Sequence, residues 1–293
     1  MFGRSYLSVD LFFMLSGYVI ARTYEQKFDQ GLKFGRFSII RLRRLWPTMV
    51  VGALLGLGAF WGDLQLPVTI ILFVMGLMFI PLFADGMPGF PQNPPAWSIV
   101  FEIFANLLHA LFLKRLGITA LAALAAACIA ILVAFAKDGN VGALGADFEL
   151  GFPRVLAGYS MGILLWRVLG DAPRLPIWIG PLLLVLPIVA ASHYLSDFPQ
   201  FDFLFAFVLC PVIVISGITA PRYGGRWFAL LGSISFPLYA VHYPIEVIVT
   251  RHGGGPILAV AATIPAAWIV AKLLAPKPRS PNPQDPRNAE MPE

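Results

Sequence analysis

The sequence predicts an all-α, polytopic integral membrane bundle with about nine to ten transmembrane segments. Hydrophobic residues make up 58% of the chain, charged residues make up 13%, and the mean hydropathy is +0.77. A soluble domain usually carries about 25% charged residues. Apolar blocks of about 17 to 21 residues recur along the chain, and each has roughly the length that crosses a hydrocarbon core. These observations exclude an ordinary water-soluble domain.

Ten apolar segments follow one another in chain order, and we expect them to form helices. They are residues 5–22, 45–62, 67–84, 96–113, 117–136, 151–169, 176–195, 202–219, 228–250 and 255–275. The first lacks a basic region followed by a small-residue cleavage site, so it is predicted to be a retained helix and not a signal peptide. The last 18 residues, 276–293, hold six prolines and almost no large apolar side chain. We therefore predict one membrane domain over residues 1–275 and a disordered, Pro-rich cytoplasmic tail over residues 276–293.

The distribution of Lys and Arg predicts how many segments cross the membrane. If all ten segments cross, the loops carry 9 basic residues on one side and 10 on the other. If one segment between residues 45 and 113 does not cross, the count becomes 16 against 3, which is the bias that the positive-inside rule expects. We assign this role to residues 96–113 as a re-entrant segment, because they contain Glu102 and His109 and follow the breaker-rich DGMPGFPQNPP. Residues 23–44 and the tail then lie on the cytoplasmic side.

Several ionisable residues inside or beside these segments are candidates for function. Asp10 lies near one end of an apolar segment, where it either faces a partner or a wet cavity, or serves as an interfacial acid or helix cap. Arg41 and Arg44 are three residues apart, which places both guanidinium groups on one helix face just before Pro47. Such a pair suits a phosphate-bearing ligand, with anionic lipid headgroups as the competing interpretation.

Two histidines lie near carboxylates in the sequence. His109 follows Glu102 by seven residues and so shares its helical face, as either a buried pair or a catalytic pair. His242 precedes Glu246 by four residues. Histidine is the side chain whose ordinary pKa lies nearest neutrality, which suits it to act as a general base. Glu102 can orient such a base or bind a substrate, or it can simply bond to a helix end.

Four motifs in order, VDLFFMLSGYVI, RLRRLWP, WSIVFE and LGSISFPLYAVHYP, resemble the acyltransferase 3 family of integral membrane O-acyltransferases over residues 5–275. The resemblance implies transfer of an acyl group, commonly acetyl from acetyl-CoA, to a hydroxyl of a glycan or lipid-linked sugar. It implies a multi-pass protein of a bacterial inner (plasma) membrane, surrounded by lipid. Acyl-CoA is then a donor substrate, with no permanently bound cofactor, no metal and no nucleic-acid partner expected.

The resemblance also implies roles for single residues. An Arg pair at the cytoplasmic start of a helix corresponds to Arg41 and Arg44, and the late Ser-Phe/Tyr-x-x-Tyr-x-x-His element begins at Ser235 and includes Phe236. The predicted site residues fall into three groups. They are Glu102, Asp10 and His242 as catalytic residues, Arg41 and Arg44 as donor-binding residues, and Trp97, Ser98 and Tyr239 as substrate-binding residues.

The start of the chain departs from the family pattern. Family members have one more helix before the VDLFF element, with an Arg and, about eleven residues later, the His taken to be catalytic. Here eight residues precede Val9, and Leu15 stands eleven positions after Arg4. We therefore expect an in-frame upstream extension of about 30 to 40 residues that encodes one more helix. Two alternatives stay open, an inactive truncated homologue and a polytopic transporter or flippase.

Overall fold

A computed structural model describes residues 4–84, 86–137, 139–172, 175–194, 198, 200–218 and 221–275. Within these ranges the regular secondary structure is helical, which confirms the predicted all-α fold class. The helices are α1 (Ser8–Asp29), α2 (Phe34–Ala59), α3 (Leu66–Leu77), α4 (Ala96–Leu111), α5 (Ile118–Phe135), α6 (Gly151–Leu169), α7 (Ile179–Tyr194), α8 (Gln200–Gly217), α9 (Pro221–Arg251) and α10 (Pro256–Leu273). Short 3-10 turns lie at Ser5–Leu7, Leu113–Arg115 and Gly145–Leu150. The predicted tail at 276–293 lies outside the described residues.

The lengths of the helices fit a membrane bundle. Among the described residues, α5, α8 and α10 are long and apolar enough to cross a membrane, by length and composition. The helices α1, α2, α6 and α9 are 19 residues or longer, but their charged residues lower their hydropathy. Such helices suit the interior of a bundle, where polar side chains find partners.

The centre of the bundle is the contact between α1 and α6. Gly158 and Gly162 are four residues apart on α6, and a Cβ atom at Gly162 would collide with the Met14 carbonyl of α1. A Cβ atom at Gly17 of α1 would likewise collide with the Tyr159 carbonyl of α6. Small residues at these positions let two helix backbones approach closely, which is the usual way that helices associate in membranes.

The helices α1, α4 and α6 run in the same direction. At their C-terminal ends, the Arg167 guanidinium of α6 bonds to Glu25 of α1 at 2.6 Å and to the Lys114 carbonyl just after α4 at 3.1 Å. The Lys114 ammonium lies 4.2 Å from the centre of the Phe28 ring. We name this end of the bundle the basic end. Near the opposite end, the Phe13 and Trp97 rings meet edge to face at 6.1 Å, so α4 covers most of the height of α1.

Helix α2 runs in the opposite direction, and this corrects the assignment of the non-crossing segment. Gly52, in the second half of α2, lies against Asn93 at the start of α4, whereas Phe37 near the start of α2 packs on Phe28 at the basic end. The connection from residue 60 to residue 95 therefore makes no net crossing.

The short helix inside this connection is α3, with 12 residues. It is about 18 Å long, well under the roughly 30 Å of a hydrocarbon core. The prediction that residues 96–113 are re-entrant is wrong, because residues 67–84 contain the helix that does not cross. Their high hydropathy resembles that of a spanning helix, whereas the polar residues of α4 face the interior of the bundle and do not mark a break.

The remaining helices flank this centre. The long helix α9 packs against α2 and α10, and α7 packs against α8. At the end of the bundle opposite the basic end, Arg251 of α9 bonds to Asp63 just after α2, with one contact at 2.9 Å. These hydrogen bonds lower the pKa of the exposed Asp63 carboxyl.

Candidate active site

A buried carboxylate and a buried guanidinium meet between α4 and α2. Glu102 is 3% exposed, and its Oε1 accepts hydrogen bonds from Arg41 Nη2 at 2.9 Å and from Ser16 Oγ at 3.2 Å. Glu102 Oε2 and Arg41 Nε have no hydrogen-bond partner among the described residues. We name Ser16, Arg41 and Glu102 the Glu102 cluster. A buried ion pair with open bonding positions is costly unless something else completes it, so these atoms are candidates for ligand contact.

The interior face of α4 continues beyond Glu102 toward the basic end. Asn106 accepts a hydrogen bond from the Tyr159 hydroxyl at 3.0 Å, and His109 is fully buried with Nε2 at 3.6 Å from Glu25 Oε1. Glu102 and His109 share this face, as the seven-residue spacing predicts, but the described contacts do not join them directly. His109 is therefore as buried as a core residue, but its ring nitrogens have no hydrogen-bond partner among the described residues.

Asp10 belongs to a different cluster. Both of its carboxylate oxygens accept hydrogen bonds from Arg154 at 2.8 Å, and the Arg154 guanidinium also donates to the Val141 carbonyl at 2.9 Å. The same guanidinium lies 5.2 Å from the centre of the Trp97 ring. Of the alternatives for an acid in an apolar segment, the structure places Asp10 against a partner.

A second buried carboxylate lies near this pair. Asp202 accepts hydrogen bonds at 2.6 Å from both Arg4 and Tyr6, and from the Gly139 amide at 3.1 Å. Asp10, Arg154, Asp202 and Arg4 are named the Asp10 cluster. Asp10 lies on α1, Arg154 on α6 and Asp202 on α8, and Arg4 precedes α1. The cluster therefore links α1, α6 and α8.

The predicted substrate residues lie between α4 and α9. Ser98 Oγ and the Tyr239 hydroxyl are 2.7 Å apart, and the Tyr239 hydroxyl also donates to the Pro95 carbonyl at 3.0 Å. His242 Nδ1 lies 2.8 Å from the Tyr239 carbonyl one turn before it on α9. The described contacts thus bring Ser98, Tyr239 and His242 together, but they leave His242 apart from Glu102.

The two predicted donor-binding arginines differ in exposure. Arg41 is 4% exposed and is engaged by Glu102, whereas Arg44 is exposed one turn further along α2. Arg44 remains close enough to Arg41 and Glu102 for their charges to interact. The pair therefore connects an accessible cation to the buried Glu102 cluster.

Sequence reasoning missed several members of these clusters. Arg154 had a usable signal, because a cation within an apolar segment needs a partner and Asp10 is an acid in another such segment. Asn106 also had one, because it follows Glu102 by four residues and so shares its helical face. Ser16 and Tyr159 had none, since a hydroxyl in a membrane helix is ordinary, and only the packing of α1 and α6 against α4 brings them to the polar face.

Comparisons with known proteins agree with the resemblance of the motifs. The acyltransferase 3 profile, described as an acyltransferase domain, matches residues 2–275. A relative from Rhizobium radiobacter, named "Protein 2 in picA locus", is 36% identical over 37% of this chain and 69% of its own length. No solved structure matches. The match over nearly the whole chain and the all-α bundle confirm the resemblance, and the chain belongs to the acyltransferase 3 family of membrane acyltransferases.

Proposed function

We propose that this chain moves an acyl group, in the first instance acetyl, from acyl-CoA to a hydroxyl of a glycan or lipid-linked sugar at a bacterial plasma membrane. The observation that carries the proposal is the Glu102 cluster, a buried carboxylate with one open oxygen that lies close to the exposed Arg44. A charged donor can dock at Arg44 while the reacting atoms lie deeper, beside Glu102.

In this proposal Glu102 acts on the acceptor. Arg41 and Ser16 hold Oε1, and Oε2, which has no partner among the described residues, accepts the hydrogen bond of the acceptor hydroxyl. As that oxygen attacks the thioester carbon, Glu102 takes its proton and the donor sulfur leaves as a thiolate. A positioned base of this kind typically contributes about 10²- to 10⁴-fold to the rate.

The donor is held by its phosphates. Arg44 supplies the accessible guanidinium, and Arg41 adds positive potential behind it although its own hydrogen bond goes to Glu102. Guanidinium groups bind phosphate through two parallel hydrogen bonds, which a Lys ammonium cannot do. Specificity for CoA over a simple acyl thioester then comes from Arg44.

The acceptor is placed by the residues between α4 and α9. Ser98 and Tyr239 present hydroxyls beside Pro95. Trp97 is buried against Phe13 and Arg154, and in this proposal it supports the neighbouring Ser98. The catalytic roles predicted for Asp10 and His242 remain predictions. In this proposal Asp10 positions Trp97 by way of Arg154, and His242 positions Tyr239 by its contact with the Tyr239 carbonyl.

The experiment is acetyl-CoA binding and single-turnover transfer with the full chain in nanodiscs, using a labelled acetyl group and lipid-linked sugars as acceptors. Because a charge-assisted contact is worth about 1.5 to 3 kcal/mol, Arg44→Ala should weaken acetyl-CoA binding by roughly ten- to a hundredfold. Arg44→Lys should recover part of this loss. The matched control is Arg43→Ala, which removes an exposed arginine of the same helix and should change binding by less than about threefold.

Three outcomes would contradict parts of the proposal. Unchanged acetyl-CoA binding by Arg44→Ala, with loss of anionic lipid binding, would assign Arg44 to lipid headgroups. Acetyl-CoA binding without transfer to any sugar would favour an inactive homologue. Movement of the sugar lipid across the membrane without acyl transfer would favour a flippase.

A further inference from the structure

The polar face of α4 extends as a row of buried groups from Glu102 to the basic end. Asn106 and His109 follow Glu102 by four and seven residues, and both are fully buried. The row is about 10 Å long. Asn106 Nδ2 and both ring nitrogens of His109 have no hydrogen-bond partner among the described residues, and neither does Ser160 Oγ on the facing helix α6. Unpaired polar atoms in a row are unusual in a packed interior.

The row ends at a carboxylate that solvent can reach. Glu25 Oε1 lies 3.6 Å from His109 Nε2, and the Glu25 side chain is 19% exposed. This separation exceeds a direct hydrogen bond, and a small movement of either side chain would bring the two atoms within hydrogen-bond distance. Arg167 donates to the same Glu25 carboxylate at 2.6 Å and holds it beneath His109.

We propose that His109 and Glu25 form a proton relay between the Glu102 cluster and the basic end of the bundle. The relay rests on the proposed function for the source of its proton. In acyl transfer the acceptor O–H bond and the thioester C–S bond break, and an ester C–O bond forms. The proton taken from the hydroxyl passes from Glu102 through the relay to the basic end. There the departing thiolate takes up one proton and becomes a thiol, so the protons balance and no other reactant is needed.

Histidine suits this position because one ring nitrogen accepts a proton while the other releases one. The charged and titratable groups that face His109 come from every side. They are Glu25 of α1, Arg167 and Tyr159 of α6, and Lys114 after α4. Burial and the two neighbouring cations oppose a lasting positive charge on the ring, and Glu25 lies 3.6 Å from Nε2 to take up the proton, so a proton passes through His109 without resting there.

The first test does not depend on acyl transfer. The Cε1 hydrogen of a histidine exchanges with deuterium only where water reaches the ring and the ring titrates, and mass spectrometry of the full chain in nanodiscs measures this for each histidine. We expect His109 to exchange, and Glu25→Gln to slow its exchange at least threefold. Glu149→Gln, which changes an exposed carboxylate, should leave it unchanged. Absence of exchange at His109, with normal exchange at the exposed His252, would overturn the relay.

The second test uses turnover. His109→Ala should lower transfer by about a hundredfold, within the usual range for proton transfer groups. Added imidazoles should restore it in an order that follows their pKa, whereas a ring that only fills space would restore it regardless of pKa. His252→Ala is the matched control, and His109→Gln serves if the Ala variant does not fold. Rescue by a non-basic ring of equal size, or unchanged turnover, would overturn the relay.

The two proposals can fail separately. Absence of acyl transfer by the unaltered chain would count against the proposed function, whereas exchange at His109 and its response to Glu25→Gln would still decide the relay.

Discussion

Two buried ion pairs in this bundle differ in how completely they are bonded. In the Asp10 cluster, Arg154 donates to both oxygens of Asp10 and to a backbone carbonyl. In the Glu102 cluster, Arg41 and Ser16 share one oxygen of Glu102, and the other has no hydrogen-bond partner in the part of the chain that the structure describes. Both pairs are buried and both join two helices, so depth and charge alone do not distinguish them.

This difference indicates that the Asp10–Arg154 pair stabilises the fold, whereas the Arg41–Glu102 pair is suited to take part in a reaction. Burying two charges is costly, and the cost is offset only when their remaining bonding positions are filled. The Asp10 cluster meets this condition within the chain, which favours a role in holding α1 and α6 together. The Glu102 cluster does not, which favours completion by a substrate.

The largest expected effect is on stability, at the fully bonded pair. Asp10→Asn should lower the free energy of unfolding by about 3 to 5 kcal/mol, because it takes from the buried Arg154 the counter-charge to which it is hydrogen-bonded. Denaturant titration in detergent micelles would measure this. The double variant Asp10→Leu, Arg154→Leu should recover much of the loss, since both charges are then removed.

The exposed Asp63–Arg251 pair provides the control for this prediction. Both side chains are about 40% exposed, so Asp63→Asn should give a much smaller shift in the unfolding midpoint. Any stabilisation by this pair is present at neutral pH and is lost as the pH falls through the lowered pKa of Asp63. A stable but inactive Asp10→Asn variant would instead place Asp10 in the chemistry.

The next largest effect is on turnover, at the open pair. Glu102→Gln should lower single-turnover transfer by about a hundredfold or more, because an amide cannot take a proton. Acetyl-CoA binding should remain within about twofold, since the proposed contact of the phosphates is with Arg44 and not with Glu102. Glu149→Gln is the control for a change of carboxylate. Unfolding of Glu102→Gln as severe as that of Asp10→Asn would remove the distinction between the two pairs.

A smaller effect tests the geometry of the open pair. Arg41→Lys keeps the positive charge but loses the planar fork that fixes Glu102, so transfer should fall by about tenfold. The effect should fall on turnover more than on donor affinity, which binding and single-turnover measurements separate. Equal losses in both would indicate that Arg41 contacts the donor directly.

The sequence predicted the fold class and the order of the helices, because hydropathy decides both in a membrane protein. It missed how far α1, α2 and α9 extend beyond their apolar segments, because the added turns are charged or polar and hydropathy does not register them. It also indicated that one segment between residues 45 and 113 does not cross. It misplaced that segment because hydropathy alone does not distinguish the 12-residue α3, apolar but too short, from a spanning helix. Polar residues in α4 pointed to a break, whereas the structure has them lining the interior.

The candidate site was only partly predictable, since the sequence does not show which helices are neighbours. Spacing placed Glu102 and His109 on one face and singled out Arg41, but the pairing of Arg41 with Glu102 depends on α2 packing against α4. The pairing of Asp10 with Arg154 depends in the same way on α1 and α6. Both pairings span more than 60 positions in the sequence.

The smallest expected effect concerns Ser16, the neutral member of the Glu102 cluster. Its hydroxyl donates to Glu102 at 3.2 Å, longer than most O–H···O hydrogen bonds, so its contribution should be about 1 kcal/mol. Ser16→Ala should therefore lower transfer by about fivefold without altering acetyl-CoA binding. Ser216→Ala is the matched control, because this buried serine of α8 bonds to Gly180 and Pro176 and not to the Glu102 cluster, so its loss should leave transfer by the folded protein unchanged. Equal losses in the two variants would mean that the loss of a buried hydroxyl, and not of the hydrogen bond to Glu102, lowers transfer.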